Sequence, residues 1–287
     1  MYTYLKQVDD GLAMRPAGAW AREKLDYLTR YINTFETSMR NKFLFRNYID
    51  LFAGPGKNRV RERGDILLGS PLLALTMKHP FTGYYFIDFN VDYANALRER
   101  CKAASGTFDI NIWNGDCNIL IDKVIQDLKR TENRSLNLAF LDPDGLELHW
   151  DTVAKLARIN RMDLIINYPE VGLNRNMSKF FQLNDETAID VFFGTQEWRA
   201  IYARKSHKAG IHRELIDFYK SQLQKLGYQE VVRGDEIGGD EPLMRSTTRR
   251  APLYRLIFAS KNPLGQKFWL AVTKRDIYGQ KRLFDSV

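Results

Sequence analysis

The sequence has few cysteines and no long apolar run, and these absences exclude several classes of protein. Cys101 and Cys117 are its two cysteines among 287 residues, and neither lies in a CxxC or Cys/His spacing typical of zinc sites. So few thiols predict a reduced and therefore cytoplasmic protein. No apolar run approaches the roughly 20 residues of a membrane-spanning helix, and residues 1–20 lack the apolar core of a secretion signal. We therefore expect neither a metal site nor a membrane partner.

Two common phosphate-binding signatures are also missing. The glycines of Gly54-Pro55-Gly56 are followed by Lys57, Asn58 and Arg59, so the G-x-G-x-x-G fingerprint is not completed. A Walker A sequence is absent as well. A ligand of this chain therefore need not be a dinucleotide.

The charge balance is basic, with 43 Lys and Arg against 35 Asp and Glu, a net charge of +8 and a pI near 9.3. Such a balance favours acidic partners, nucleic acid first, although many soluble enzymes are mildly basic. Three segments carry the basic residues that would contact phosphates: 57–63, 199–208 and 245–250. The first of them lies in a predicted loop, 57–69, and is explained equally well as a solvated run of charges.

Short apolar runs alternate with amphipathic stretches from residue 46 onward. The runs are continuous, as in strands that are buried on both faces of a sheet, and the alternation predicts a parallel sheet with right-handed crossovers. The predicted strands are 46–54, 83–90, 109–116, 136–145 and 162–169. The predicted helices between them are 70–79, 91–104, 118–130 and 149–159.

The flanking segments follow other patterns. Before the sheet, the pattern over 20–39 predicts an amphipathic helix in an N-terminal helical segment, 1–45, distinct from a main domain over 46–287. After strand five, 170–210 predicts a mostly helical insertion lying over the strand ends. A helix over 211–227, an antiparallel pair formed by 228–232 and 252–260 around a loop at 233–251, and a helix over 265–275 complete the α/β domain.

Acidic residues recur at the ends of the predicted strands, where parallel strands place their ligands. A carboxylate inside an apolar strand is costly unless a partner offsets it, so a series of them predicts a polar ligand with several donors. Gly54 and Gly56 would let the backbone approach that ligand closely. The four strand ends carry Asp50, Asp88, Asp116 and Asp142.

A ligand with a ribose, an adenine and positive charge would use these acids best, and S-adenosylmethionine has all three. Asp88 is placed for the ribose hydroxyls, Phe89 for an adenine face and Asp116 for the adenine amino group. Ser70, as a helix cap before Pro71, would meet the methionine carboxylate with the glycine turn. The predicted cofactor contacts are Asp50, Phe52, Gly54, Gly56, Ser70, Asp88, Phe89, Asp116, Cys117 and Asp142.

The segment "YIDLFAGPG" resembles the first motif of class I S-adenosylmethionine-dependent methyltransferases. Residues 20–275 are similar to the bacterial three-Cys-motif partner (TcmP) family, through "DLFAGPG", "GSPLLAL", "FLDPDG", "NRN" and "FFGTQEWR", together with Lys24 and Tyr31 of the first helix. The resemblance implies a Rossmann-like class I methyltransferase fold, and a partner, the three-Cys-motif protein, which is similar to radical-SAM proteins. It does not imply a substrate.

The segment "DPDG" supplies the candidate catalytic residues, Asp142 and Asp144. It matches the D-P-P-Y motif of amino-methyltransferases in part, but Gly145 stands in place of the aromatic ring, and Tyr168 is a candidate to replace it. Asp144 is either a general base or an ordinary turn residue. Three functions therefore stay open: a methyltransferase whose acceptor is a nucleic acid or another molecule, a non-catalytic cofactor-binding partner, and a nucleic-acid-binding module.

Overall fold

The structure is a computed structural model, which describes residues 6–102, 107–204, 210–229, 241–247 and 249–275. The strands are Arg15–Ala17 (β1), Phe45–Asp50 (β2), Lys57–Val60 (β3), Ile66–Leu68 (β4), Gly83–Asp88 (β5), Asp109–Asn114 (β6), Ser135–Leu141 (β7), Met162–Tyr168 (β8), Leu243–Arg245 (β9) and Pro252–Ala259 (β10). The helices are Ala21–Met39 (α1), Ser70–Leu75 (α2), Val91–Cys101 (α3), Cys117–Lys129 (α4), Trp150–Ala157 (α5), Glu170–Phe181 (α6), Ala188–Phe193 (α7), Trp198–Arg204 (α8), Ile211–Lys225 (α9) and Pro263–Thr273 (α10).

A seven-stranded sheet forms the centre of the fold, in the order β6-β5-β2-β7-β8-β10-β9. The five strands from β6 to β8 are parallel, and β10 runs antiparallel to both of its neighbours. The order turns back at β2, so the carboxyl ends of β2, β5 and β7 meet at the switch point where such sheets bind ligands. The predicted α/β, Rossmann-like fold with a mostly parallel sheet is confirmed.

The sheet is covered on both faces, which explains the continuous apolar runs. One face packs against α1, α2, α3 and α10 in a core that includes Tyr31, Phe258 and Trp269. The other face packs against α4, α5 and α7 to α9, around residues such as Trp198 and Tyr219. Because α1 shares its core with the sheet, it packs directly on the main domain.

Two details of the predicted strands are wrong. The segment 57–69, predicted as a loop, forms the β3–β4 hairpin, which pairs with β1 in a second, three-stranded sheet. The antiparallel partner of β10 beyond β8 is β9, inside the predicted loop, whereas residues 228–229 form no strand and 230–232 lie outside the described residues. Both errors have one cause, because strands of three or four residues are too short for hydrophobic periodicity to reveal them.

The insertion after β8 is helical, as predicted, and consists of α6, α7 and α8. A capping box between Thr187 and Asp190 begins α7. Asp190 also accepts hydrogen bonds from Trp198 Nε1 at 2.7 Å and from Arg199, which forms a salt bridge with it. The insertion therefore contributes to the core, and Arg199 is engaged within it.

The N-terminal segment is anchored by a buried cluster of charges. Asp10 forms salt bridges with Lys57 at 2.8 Å and with Arg100 at 2.6 Å, and both cations are fully buried. Arg100 also donates to the carbonyl of Pro55, inside the glycine turn. The cluster ties the segment before β1 to the turn after β2, so Lys57 is not available to a phosphate.

No helix in these described ranges is long and apolar enough to cross a membrane.

Two glycines with positive φ allow a matched test of the core around α7. A Cβ at Gly194 would overlap the Trp150 ring, whereas a Cβ at Gly227 would meet nothing within 4 Å. Both alanine variants bear similar backbone strain, so we expect Gly194→Ala to lower the free energy of unfolding by about 1–3 kcal/mol more than Gly227→Ala. Urea denaturation measures the difference, and equal losses would contradict the packing described.

Candidate functional site

A cavity of about 540 Å³ opens at the carboxyl ends of β2, β5, β6 and β7. We call it the acidic cavity, because five carboxylates and one guanidinium line it. They are Asp88, Asp116, Asp142, Asp144, Glu147 and Arg15. Such a surface favours a cationic ligand.

Asp88, at the end of β5, is held by two backbone N–H groups. Gly54 donates to its Oδ2 at 2.7 Å and Asn90 donates to its Oδ1 at 2.8 Å. Burial raises the pKa of this carboxyl. Each oxygen keeps a second lone pair, so the side chain can accept two hydroxyl groups from a ligand without losing its support.

Asp116 and Cys117 begin α4 at the edge of the same cavity. Asp116 caps the helix by accepting from the N–H of Asn118 at 2.8 Å. Cys117 is a buried free thiol whose pKa is raised to about 12, chiefly by burial. It therefore stays protonated and contributes its shape to the wall.

Phe89 is an apolar wall of the cavity that the fold itself does not bury. Its relative exposure is 80%, and it follows Asp88 directly. Phe52, partly buried, lines the cavity as well. A large exposed ring beside a polar cavity suits a ligand that has a flat face.

A second cavity, of about 250 Å³, adjoins the first. We call it the lysine cavity, because Lys24 from α1 lies in it beside Trp20, Ser70 and Tyr254. Four residues line both cavities, so the two spaces meet at that point. The shared residues are Arg15, Phe52, Asp142 and Asp144.

Asp142 lies at the meeting point and is held from two sides. Lys24 Nζ forms a salt bridge with its Oδ2, and Asn167 donates to its Oδ1 at 3.0 Å. Asn167 also donates to the carbonyl of Pro143 at 3.1 Å. Two acceptors for one amide nitrogen fix the orientation of the Asn167 side chain.

Asp144 lies further out and is exposed. Arg15, at the start of β1, forms a salt bridge with it across the rim of both cavities. Thus both predicted catalytic carboxylates are paired with a cation from the N-terminal segment.

Four of the predicted cofactor contacts do not line the acidic cavity. Gly54 and Ser70 line the lysine cavity, whereas Asp50 and Gly56 line neither. Gly56 has a φ of +85°, and a Cβ there would crowd Leu72, so packing explains this glycine. The helix cap is Gly69 and not Ser70, whose hydroxyl instead bonds to Asp50.

Tyr168 is not available as a substitute for the missing aromatic ring. It is fully buried in the core under the insertion, and its hydroxyl lies 3.2 Å from His212 Nδ1. The neighbouring Asn167 faces the site, because successive residues of β8 point to opposite faces. Among the described residues, no group of three or more His, Cys, Asp or Glu side chains could hold a metal ion.

The basic segments are only partly accessible. Arg59 pairs with Asp9, and Arg61 lines the lysine cavity. Parts of 199–208 and 245–250 lie outside the described residues. Sequence reasoning gave no site role to Arg15, Trp20, Asn167 or Tyr254, and named Lys24 only within the family resemblance, because no local pattern links α1, β8 and β10 to the strand ends.

Asp50 makes a pH-dependent contribution to stability that can be measured. Burial, with help from the negative charge of Asp142, raises its pKa from 3.8 to about 7. The unfolded chain loses this proton at lower pH than the folded chain, so the residue costs stability as the pH rises from about 4 to about 7. We expect Asp50→Asn to become progressively more stable than the parent protein across that interval, by up to a few kcal/mol, in urea titrations. The exposed control Asp185→Asn should show no such trend, and a difference independent of pH would contradict the burial described.

Comparisons with known proteins give only distant structural likenesses. No protein-family model and no curated protein sequence matches this chain, so the resemblance to TcmP proteins stays a prediction. A Pyrococcus horikoshii protein, provisionally assigned as an RNA methyltransferase, is 12% identical over 87% of this chain and 92% of its own, with a TM-score of 0.38. A Legionella pneumophila protein of the DUF519 family is 13% identical over 58% of this chain and 75% of its own, with a TM-score of 0.39. Scores this low say nothing about activity, which has to be argued from the site itself.

Proposed function

We propose that this chain is an S-adenosylmethionine-dependent methyltransferase, with the cofactor in the acidic cavity and the methyl acceptor in the lysine cavity. The observation that carries the proposal is the contact between the two cavities at Phe52 and Asp142. A donor and an acceptor bound on either side of that contact would lie within reach of each other. Holding two reactants in line is the main task of a catalyst for this reaction.

The acidic cavity has the groups that this cofactor requires. The carboxylates balance the positive sulfonium and ammonium groups, Asp88 accepts the ribose hydroxyls, and Phe89 packs against the adenine face. Asp116 is placed for the adenine amino group. When bound, the cofactor supplies an activated methyl group, and the residues of the chain orient it and exclude water.

A second function is favoured by one specific observation. The two carboxylates predicted to be catalytic are each paired with a cation of the same chain, Asp142 with Lys24 and Asp144 with Arg15. Neither carboxylate is therefore a free base. A non-catalytic cofactor-binding protein would not need one. Such a protein would act through a partner, and the family resemblance names the three-Cys-motif protein for that role.

Calorimetric titration with S-adenosylmethionine tests the cofactor site directly. We expect saturable binding, and a loss of affinity of about tenfold or more in Asp88→Asn, because one ionised hydrogen-bond acceptor for the ribose is removed. Asp109→Asn is the matched control, since it removes the same charge from an exposed residue at the other end of the sheet. Absence of binding, or equal losses in both variants, would overturn the assignment of this cavity.

Turnover separates the two functions. A methyltransferase should convert the bound cofactor to S-adenosylhomocysteine when an acceptor is supplied, as measured by mass spectrometry. Tight binding without conversion across nucleic acid, protein and metabolite pools would support the non-catalytic function.

A further inference from the structure

The two adjoining cavities differ in charge. The titratable residues of the lysine cavity include three cations, Arg15, Lys24 and Arg61, against the two carboxylates Asp142 and Asp144. In the acidic cavity, five carboxylates face one cation. A positive methyl donor on the acidic side therefore adjoins a space that favours a negative group.

Lys24 is the cation placed deepest in this space. Its side chain is 14% exposed, and its ammonium lies 5.1 Å from the centre of the Tyr254 ring. Within the described residues, Asp142 is the hydrogen-bonding partner found for it. An ammonium has three N–H donors, so Lys24 keeps donors for a ligand while Asp142 holds it in place.

An amine acceptor fits this cavity poorly. The negative charge of Asp142 is balanced by Lys24, and that of Asp144 by Arg15. A protonated amine would therefore enter a space in which the cations outnumber the carboxylates.

A hydroxyl acceptor fits poorly too, because it has to lose a proton. Among the described residues that line the lysine cavity there is no histidine, and both carboxylates are in salt bridges. A carboxylic acid needs no base, since its ordinary pKa near 4 leaves it ionised at neutral pH. The cavity therefore suits an acceptor that arrives as an anion.

We infer that the methyl acceptor is a carboxylate that binds to the Lys24 ammonium in the lysine cavity, an inference that rests on the proposed function. A lone pair of a carboxylate oxygen forms the new O–CH₃ bond as the bond between sulfur and the methyl carbon breaks, and sulfur keeps that electron pair. The products are a methyl ester and S-adenosylhomocysteine, and no proton is released. Lys24 is the specificity-determining residue.

The volume of the lysine cavity and the residues that line it restrict the class of acceptor further. A volume of about 250 Å³ lies below the roughly 300 Å³ at which pockets for drug-sized ligands begin. Trp20 and Leu253 supply apolar surface beside Lys24. The acceptor is therefore a small acid with an apolar body, or a carboxyl side chain of a larger molecule.

Binding of benzoate tests the inference without knowledge of the natural acceptor. In the presence of S-adenosylhomocysteine, we expect benzoate to change the fluorescence of Trp20 and to bind at least about tenfold more tightly than benzylamine, a flat molecule of opposite charge. Lys24→Met should abolish that preference and Lys24→Arg should retain it. Trp20→Phe identifies the signal that comes from the cavity.

The controls separate this inference from the proposed function. Lys102→Met, at an exposed lysine, should keep the preference for benzoate. If Lys24→Met fails to fold, the double variant Lys24→Met/Asp142→Asn replaces it, because it removes both charges of the pair. Equal or weaker binding of benzoate, or no binding of either molecule, would overturn the inference. If the cofactor does not bind but benzoate still binds to Lys24, the proposed function is refuted and only an anion site is left.

The chemistry of the product gives a second test. Transfer of a tritiated methyl group to a carboxylate yields an ester, which mild alkali splits to volatile methanol. We expect alkali-labile label in either the small-molecule filtrate or the protein fraction of a bacterial lysate, and the fraction that carries it identifies the source of the carboxylate. Alkali-stable label in nucleic acid or protein would show transfer to another group and overturn the inference.

Discussion

The site depends on one physical constraint: a carboxylate at the end of a buried strand needs donors or a cation to offset its burial. This chain meets the constraint in three ways. Asp88 accepts two backbone N–H groups, Asp142 pairs with Lys24, and Asp50 has a pKa raised to about 7. Asp88 and Asp142 therefore lie beside an open cavity, where a ligand can contact them. Asp50 lines neither cavity.

The N-terminal segment determines how charge is divided between the two cavities. The buried cluster around Asp10 anchors it to the glycine turn, and β1 and α1 then bring Arg15 and Lys24 to the two carboxylates of "DPDG". Without these cations the lysine cavity would have two carboxylates against one cation, Arg61, and would favour a positive group instead. The sheet thus provides the carboxylates, and a segment outside the sheet decides which of them remain available to a ligand.

Most of the sheet could be predicted because its signals are local. The buried runs of β2, β5, β7 and β8 are continuous, and β5, β7 and β8 are each followed directly by a helix. The β3–β4 hairpin and β9 are not predicted, because strands of three or four residues are too short to show a period. The sequence offers Tyr168 for the aromatic ring missing at Gly145, whereas the structure brings its neighbour Asn167 to the site. The letters of a strand do not show which of two neighbours faces the ligand.

The sequence by itself determined the α/β fold and the run of acids at one edge of the sheet, since the period of hydrophobic residues and the position of strand ends are properties of neighbouring residues. Only the tertiary structure decided which acids share a cavity, that Asp50 and Gly56 belong to the packing, and that Lys24 pairs with Asp142 where the two cavities meet. These facts depend on contacts between α1, β7, β8 and β10, and such contacts arise only when the chain folds.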